Sequence, residues 1–139
     1  MSFRYRREMP RDLQLLVGMT IHRIIALRAM MTYPNGAVYC ASKAAERAIN
    51  DGLRQDVLGT PIRVTSVDPG MVQTDFSLVR FHGDTERAAK VYKGVKPLTP
   101  EDVAEVIVWA AMRPAHVNIA RVLMTPVQQA NSLLFHREE

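Results

Sequence analysis

The stretch Tyr33-Pro34-Asn35-Gly36-Ala37-Val38-Tyr39-Cys40-Ala41-Ser42-Lys43-Ala44-Ala45 decides how the chain is read. Pro34-Asn35-Gly36 is a turn signal, and a long helical pattern follows it. Tyr39 and Lys43 stand four positions apart, so a helix sets them on one face, one turn from each other. A phenol with its ordinary pKa of about 10 is a poor acid or base at neutral pH, and a neighbouring ammonium favours the phenolate. The pair is therefore suited to a tyrosine proton donor acting on one ligand. Taken alone, the same spacing also describes an exposed tyrosine over a solvated lysine.

Outward from this stretch, Ala41, Ala44, Ala45, Ala48, Ile49, Leu53 and Val57 recur at helical spacing, while Glu46, Arg47, Asn50, Arg54 and Gln55 fill the other side. The helix is predicted over residues 37–58, with Gly59 as its C-terminal cap. Residues 62–67 are short and rich in β-branched residues and read as a strand, closed by the turn signal Asp68-Pro69-Gly70. Residues 71–83 read as a loop with a short helical piece, and residues 84–92 as a short helix. Thr99-Pro100-Glu101-Asp102 is a helix start, with a capping hydroxyl, proline in the first turn and acids at the positive helix end. That helix runs to about Met112, and residues 117–124 form a last strand. The polar tail to Glu139 reads as loop. Upstream, residues 20–27 read as a strand, and Asp12 as the cap of a short helix through Leu15 and Leu16. A helix, a short loop and a largely apolar strand are the rhythm of an α/β layer on a parallel sheet.

With 139 residues the chain forms one domain at most. Its 47% hydrophobic and 23% charged residues are those of an ordinary globular chain. The net charge of +4 is spread along the chain, with no basic run interleaved with aromatics, so nucleic acid is not an expected partner. The single cysteine, Cys40, excludes an internal disulfide and a cysteine-rich metal site, and a buried small residue is its expected role. The four histidines are scattered without ligand spacing, so no metal is expected. There is neither a membrane-spanning apolar run nor a signal-peptide core, and a cytoplasmic location is expected.

Tyr39-x-x-x-Lys43, then a helix, a strand and Asp68-Pro69-Gly70-Met71-Val72-Gln73-Thr74 occur in the order found in the short-chain dehydrogenase/reductase family, and the chain resembles that family's C-terminal half. Residues 60–84, 98–110, 116–119 and 124–129 are similar, more narrowly, to its NADP-dependent 3-hydroxy acid (serine-type) dehydrogenases. The resemblance spans roughly residues 33–137. It implies an α/β fold: the C-terminal half of a Rossmann-like, doubly wound parallel sheet, with the N-terminal dinucleotide-binding half missing. It implies Tyr39 as proton donor to a carbonyl or acceptor from an alcohol. It implies Lys43 as the residue that binds the ribose hydroxyls and depresses the tyrosine pKa. Pro69, Gly70 and Val72 would set backbone against the nicotinamide, and Thr74 would hydrogen-bond the cofactor, NADP or NAD. Independently, ligands of open α/β sheets sit beyond the carboxyl ends of strands, where Asp68-Pro69-Gly70 falls. The substrate would be a small hydroxy acid or its carbonyl counterpart. Arg80, in the substrate-loop region of residues 76–81, either pairs with a substrate carboxylate through its fork of donors or is a surface arginine. Members of the family commonly dimerise through the helix at residues 37–58, which implies a homo-oligomer.

The chain departs from the family upstream. Gly18 and Gly36 are its only glycines before the helix, so the Gly-rich turn that admits a pyrophosphate to a helix N-terminus is not found. The family's catalytic serine would lie about 13 residues before Tyr39, at Ala26, which cannot hydrogen-bond a carbonyl. Such a contact is worth about 10²-fold in rate or more. Residues 1–32 are read as an atypical segment, an out-of-frame translation of a longer ancestral gene, and residues 33–139 as a partial Rossmann-like domain. The resulting expectation is an NAD(P)-dependent oxidoreductase of a short 3-hydroxy acid or similar alcohol. The alternative is an inactive remnant that serves at most as an oligomerisation module.

Overall fold

The computed structural model of the chain describes residues 20–25 and 31–138, with the backbone alone for residues 20–23. The expected cap at Asp12, the segment before Thr20, and Ala26 and Leu27 lie outside the described residues.

Three parallel strands form the sheet: β1 (Thr20–Ile24), β2 (Arg63–Pro69) and β3 (Arg121–Met124), in the order β1-β2-β3. Thr20 lies opposite Arg63 and Ile24 opposite Val67, and on the other side Ser66 lies opposite Arg121 and Pro69 opposite Met124. A parallel pair requires a crossover between its strands. The first crossover is α1 (Ala37–Asp56), and the second contains α2 (Phe76–Arg80), α3 (Thr85–Tyr92) and α4 (Pro100–Ala111). Both α1 and α4 pack against β2. As the middle strand, β2 is buried along its whole length. Ile25, Cys40, Val64, Val67, Val103, Ala110 and Ala111 supply much of the apolar core.

Most predicted elements are present, with informative differences at their ends. Strand β2 continues through Asp68 and Pro69, which the turn signal had placed beyond it. The Gly70 N–H donates to the Met124 carbonyl at 2.8 Å, so pairing continues to the strand's end, where a proline costs little. Strand β3 is shorter than expected and begins at Arg121. Upstream of it, the Asn118 side chain, instead of a backbone carbonyl, accepts from the Val64 N–H at 3.1 Å. Helix α1 stops at Asp56, and Gly59, with φ of +83°, follows the tightened last turn. Its buried positions are Cys40 and Asn50, whereas Ala41, Ala44, Ala45, Ala48 and Ile49 are exposed. The alanine stripe expected to be the core face points away from the sheet, because Cys40 and Asn50, ten residues apart, lie on the side that meets it.

Two polar devices fix α4. Thr99 Oγ1 accepts from the Asp102 N–H at 3.2 Å while Asp102 Oδ2 accepts from the Thr99 N–H at 2.7 Å, a reciprocal capping box. At the other end, buried Arg63 of β2 donates to the carbonyls of Ala111 at 2.7 Å and Arg113 at 2.8 Å, satisfying groups the helix cannot pair itself. Replacing Arg63 by Met should destabilise the fold by about 3 kcal/mol, since these buried carbonyls lose a charged donor. Thr99→Ala should cost about 1 kcal/mol. Urea denaturation of both variants tests the ranking, and an Arg63→Met loss no larger than that of Thr99→Ala would contradict it.

Candidate active site

At the carboxyl end of β2 the chain leaves the sheet through Pro69 and Gly70. The next residues are pinned to the segment before α4: the Leu98 N–H donates to the Met71 carbonyl at 2.9 Å and the Gln73 N–H to the Leu98 carbonyl at 2.8 Å. Thr74 Oγ1 accepts from the N–H of Phe76, the first residue of α2, at 3.3 Å. The Tyr92 hydroxyl, at the end of α3, lies 3.0 Å from Ser77 Oγ and donates towards the Val72 and Thr74 carbonyls at 3.3 and 3.4 Å. One phenol thereby ties α2 and α3 to the segment that follows β2.

Helix α1 brings the other half of the site. The turn before it uses Asn35 at φ of +62°, a conformation asparagine tolerates. Gly36 lies under the Tyr33 ring, where a Cβ would come within 2.3 Å of the ring and the tyrosine would have to shift. Tyr39 is half-buried, with its ring 5.9 Å from that of Phe76. The Lys43 ammonium is 6.0 Å from the centre of the Tyr39 ring and 3.0 and 3.1 Å from the two carboxylate oxygens of Glu46. Lysine and tyrosine share a face as the spacing predicts, and the lysine also has an acidic partner that the motif did not signal. Arg80 donates to the Tyr33 hydroxyl at 3.2 Å and lies over the Tyr33 and Phe81 rings, at 5.5 and 5.7 Å from their centres.

A cavity of about 490 Å³ is bordered by Tyr39, Lys43, Pro69, Gly70, Val72, Thr74 and Arg80 together. All seven residues singled out from the sequence meet in this one space, although about 40 residues separate the first from the last. Sequence reasoning missed Tyr92, Gln129 and Phe135, which also border it. The only signal for Gln129 was the family-like text of residues 124–129. The polar tail had suggested a solvated loop, but Gln129 and Ser132 are buried. Among the described residues no group of three or more His, Cys, Asp or Glu gathers that could hold a metal ion, and no helix is long and apolar enough to cross a membrane.

A helix bearing Tyr and Lys one turn apart thus faces a Pro-Gly strand end of a parallel sheet across one cavity. The chain belongs to the short-chain dehydrogenase/reductase family, of which it carries a part. A sequence model of the short chain dehydrogenase family matches residues 18–83. An uncharacterised oxidoreductase of Mycobacterium tuberculosis is 46% identical over 109 residues, covering 78% of this chain and 43% of that protein. An NADP-dependent 3-hydroxy acid dehydrogenase of Schizosaccharomyces pombe is 45% identical over 108 residues, covering 78% of this chain and 42% of its own. Among solved structures, the closed form of a serine dehydrogenase complexed with NADP+ superposes with a TM-score of 0.79 at 44% identity, covering 86% of this chain and 49% of the other. The chain thus spans less than half the length of these relatives.

Asp68, the last residue before Pro69-Gly70, is fully buried. One carboxylate oxygen accepts from Arg121 Nε across the β2–β3 pair, and the other has no hydrogen-bond partner among the described residues. Removing one member of a buried pair strands the other's charge. Arg121→Met should therefore cost about 3 kcal/mol or more, and adding Asp68→Asn should recover much of the loss. Additive losses in the double variant, measured by urea denaturation, would sink this account.

Proposed function

We propose that the chain provides the proton-transfer, nicotinamide-facing and substrate-facing parts of an NADP-dependent 3-hydroxy acid dehydrogenase site. The observation that carries the reading is the single cavity shared by Tyr39, Lys43, Pro69, Gly70, Val72, Thr74 and Arg80. The donor set fits the nicotinamide and ribose end of the cofactor: the Lys43 ammonium and the hydroxyl-bearing Tyr39 and Thr74 border the space together with Pro69 and Gly70. The bound nicotinamide nucleotide supplies a hydride for carbonyl reduction or takes one from the alcohol. Tyr39 gives the proton to the carbonyl oxygen, or receives it from the hydroxyl, as a general acid or base. Lys43 holds the ribose hydroxyls and favours the phenolate. Arg80, anchored by Tyr33, presents its remaining donors to the substrate carboxylate. The preference for NADP and for a 3-hydroxy acid is supported by the names of the relatives. A cytoplasmic location accords with a cysteine, Cys40, that is free and buried.

The test is NADP+ reduction by the purified chain with L-serine or 3-hydroxypropanoate, followed at the nicotinamide absorbance. The rate should be low, because Ala26 supplies no carbonyl donor, and Tyr39→Phe should lower kcat by a further factor of about 10². Lys43→Ala should chiefly weaken cofactor binding. Turnover in Tyr39→Phe equal to that of the parent, or no NADP+-dependent signal at any protein concentration, would reject the catalytic reading and favour the inactive remnant.

We infer that the exposed alanine stripe of α1, Ala41, Ala44, Ala45 and Ala48 with Ile49, is a self-association surface. Small side chains let a second helix approach closely, and Ile49 is 51% exposed despite its apolar side chain. Light scattering on the parent chain should give a dimer or larger, and Ile49→Glu should shift it to monomer with helix content unchanged. A monomeric parent would reject this.

A further inference from the structure

The segment after β3, residues 125–138, has no helix or strand, yet it returns to the turn that follows β2. Gln129 within it is buried, and both ends of its side-chain amide are used. Oε1 accepts from the Met71 N–H at 2.8 Å, and Nε2 donates to the Asn131 carbonyl at 3.0 Å. The segment is itself held in shape. The Gln129 N–H donates to the Pro126 carbonyl at 2.9 Å, the Ala130 N–H to the Leu134 carbonyl at 3.0 Å, and Asn131 Oδ1 accepts from the Leu133 and Leu134 N–H groups at 2.9 Å. Gln129 therefore reaches the turn from a preorganised base.

Gly70 shows how close that approach is. Its φ does not lie in the left-handed region, so backbone angle does not demand glycine there. Space does: a Cβ would stand 2.3 Å from Gln129 Oε1, 3.0 Å from its Cδ and 3.1 Å from Thr125 Cγ2. The two peptides on either side of Gly70 are thus held in succession, Pro69-Gly70 by the Met124 carbonyl on the Gly70 N–H and Gly70-Met71 by Gln129 on the Met71 N–H. The neighbouring Gln128 does a separate job, accepting from the Lys96 N–H at 2.7 Å and donating to Glu138 at 2.9 Å.

We propose that Gln129 is a positioning residue for the cofactor turn: its amide fixes the Gly70-Met71 peptide and, through it, the backbone of residues 69–72 that faces the nicotinamide. This rests on the reading of that turn given under Proposed function. Only an uncharged amide meets both demands, because a carboxylate cannot donate to the Asn131 carbonyl and asparagine is one methylene too short to span the same gap.

The experiment uses the full chain and three variants. Gln129→Met keeps the side chain's bulk without either hydrogen bond, Gln129→Ala opens space beside Gly70, and Gln128→Ala loosens the same segment away from the turn. Amide exchange followed by NMR should be about tenfold faster at Met71 in Gln129→Met, the worth of one hydrogen bond, and within twofold of the parent in Gln128→Ala. Unchanged exchange at Met71 in Gln129→Met would overturn the proposal. Gly70→Ala should lower Tm markedly in the parent and little in a Gln129→Ala background, and equal losses in both would also overturn it. Titration with NADPH, read from the Met71 and Thr74 amide shifts, should saturate at about fivefold higher concentration in Gln129→Met than in Gln128→Ala. Faster exchange at Met71 with unaltered NADPH affinity would reject the positioning role. Should NADPH move no amide in the parent, the cofactor reading itself fails, while exchange at Met71 still decides whether Gln129 holds the turn.

Discussion

The structure depends on one strand. β2 is buried along all of its residues, so every backbone group in it needs a partner, and β1 and β3 supply most of them. A fully buried parallel strand is ordinarily a near-continuous apolar run, but β2 contains Arg63, Thr65, Ser66 and Asp68. The two charges lie near its ends and act as ties. Arg63 at the start holds the carbonyls that close α4, and Asp68 at the end holds Arg121 of β3. The strand is therefore fixed lengthwise as well as sideways. Its exit through Pro69-Gly70 is consequently set to one position relative to the helices around it. A turn that holds a ligand through its backbone would require that property, because a small shift of the peptide is a large fraction of a hydrogen-bond length.

Helix α1 meets three environments with three kinds of residue. Cys40 and Asn50 face the sheet, Tyr39 and Lys43 face the cavity, and the alanine stripe faces outward. Asn50 is 1% exposed, and its Oδ1 has no partner, which costs stability in the isolated fold. A helix that spends its apolar surface outward and buries an amide inward is not optimised for packing against its own sheet alone. This is the arrangement expected where a second surface completes the burial of the stripe.

Those environments explain which features were legible in the sequence. Element types and order were readable because caps and breakers act locally: Thr99 caps α4 as its position before Pro100 predicts, and the structure adds a return bond from Asp102. The residues that meet at the cavity could be singled out because Tyr39 with Lys43 and Pro69-Gly70 with Thr74 are local spacings, which the sheet needs only to bring together. The inner face of α1 was not readable, because Ala and Ile score as core whether they meet the chain's own sheet or another surface. Gln129 and Tyr92 were hidden for a different reason. Their partners, Met71 and the carbonyls of Val72 and Thr74, are distant in sequence and are backbone groups, which no residue pattern marks.

The Lys43–Glu46 pair sets a condition on the chemistry. On the reading proposed above, the ammonium has to hold a ribose while a carboxylate lies 3.0 Å away. An ammonium carries three N–H donors, and the two oxygens of Glu46 engage at most two of them, so at least one donor is left for another acceptor. A neutral ribose hydroxyl is a weaker partner than a carboxylate and would not displace Glu46; it would share the lysine with it. The pair then keeps the ammonium in one rotamer at an entropy cost met during folding rather than on binding. On that reading, Lys43 then orients the ligand with a donor that Glu46 leaves unused.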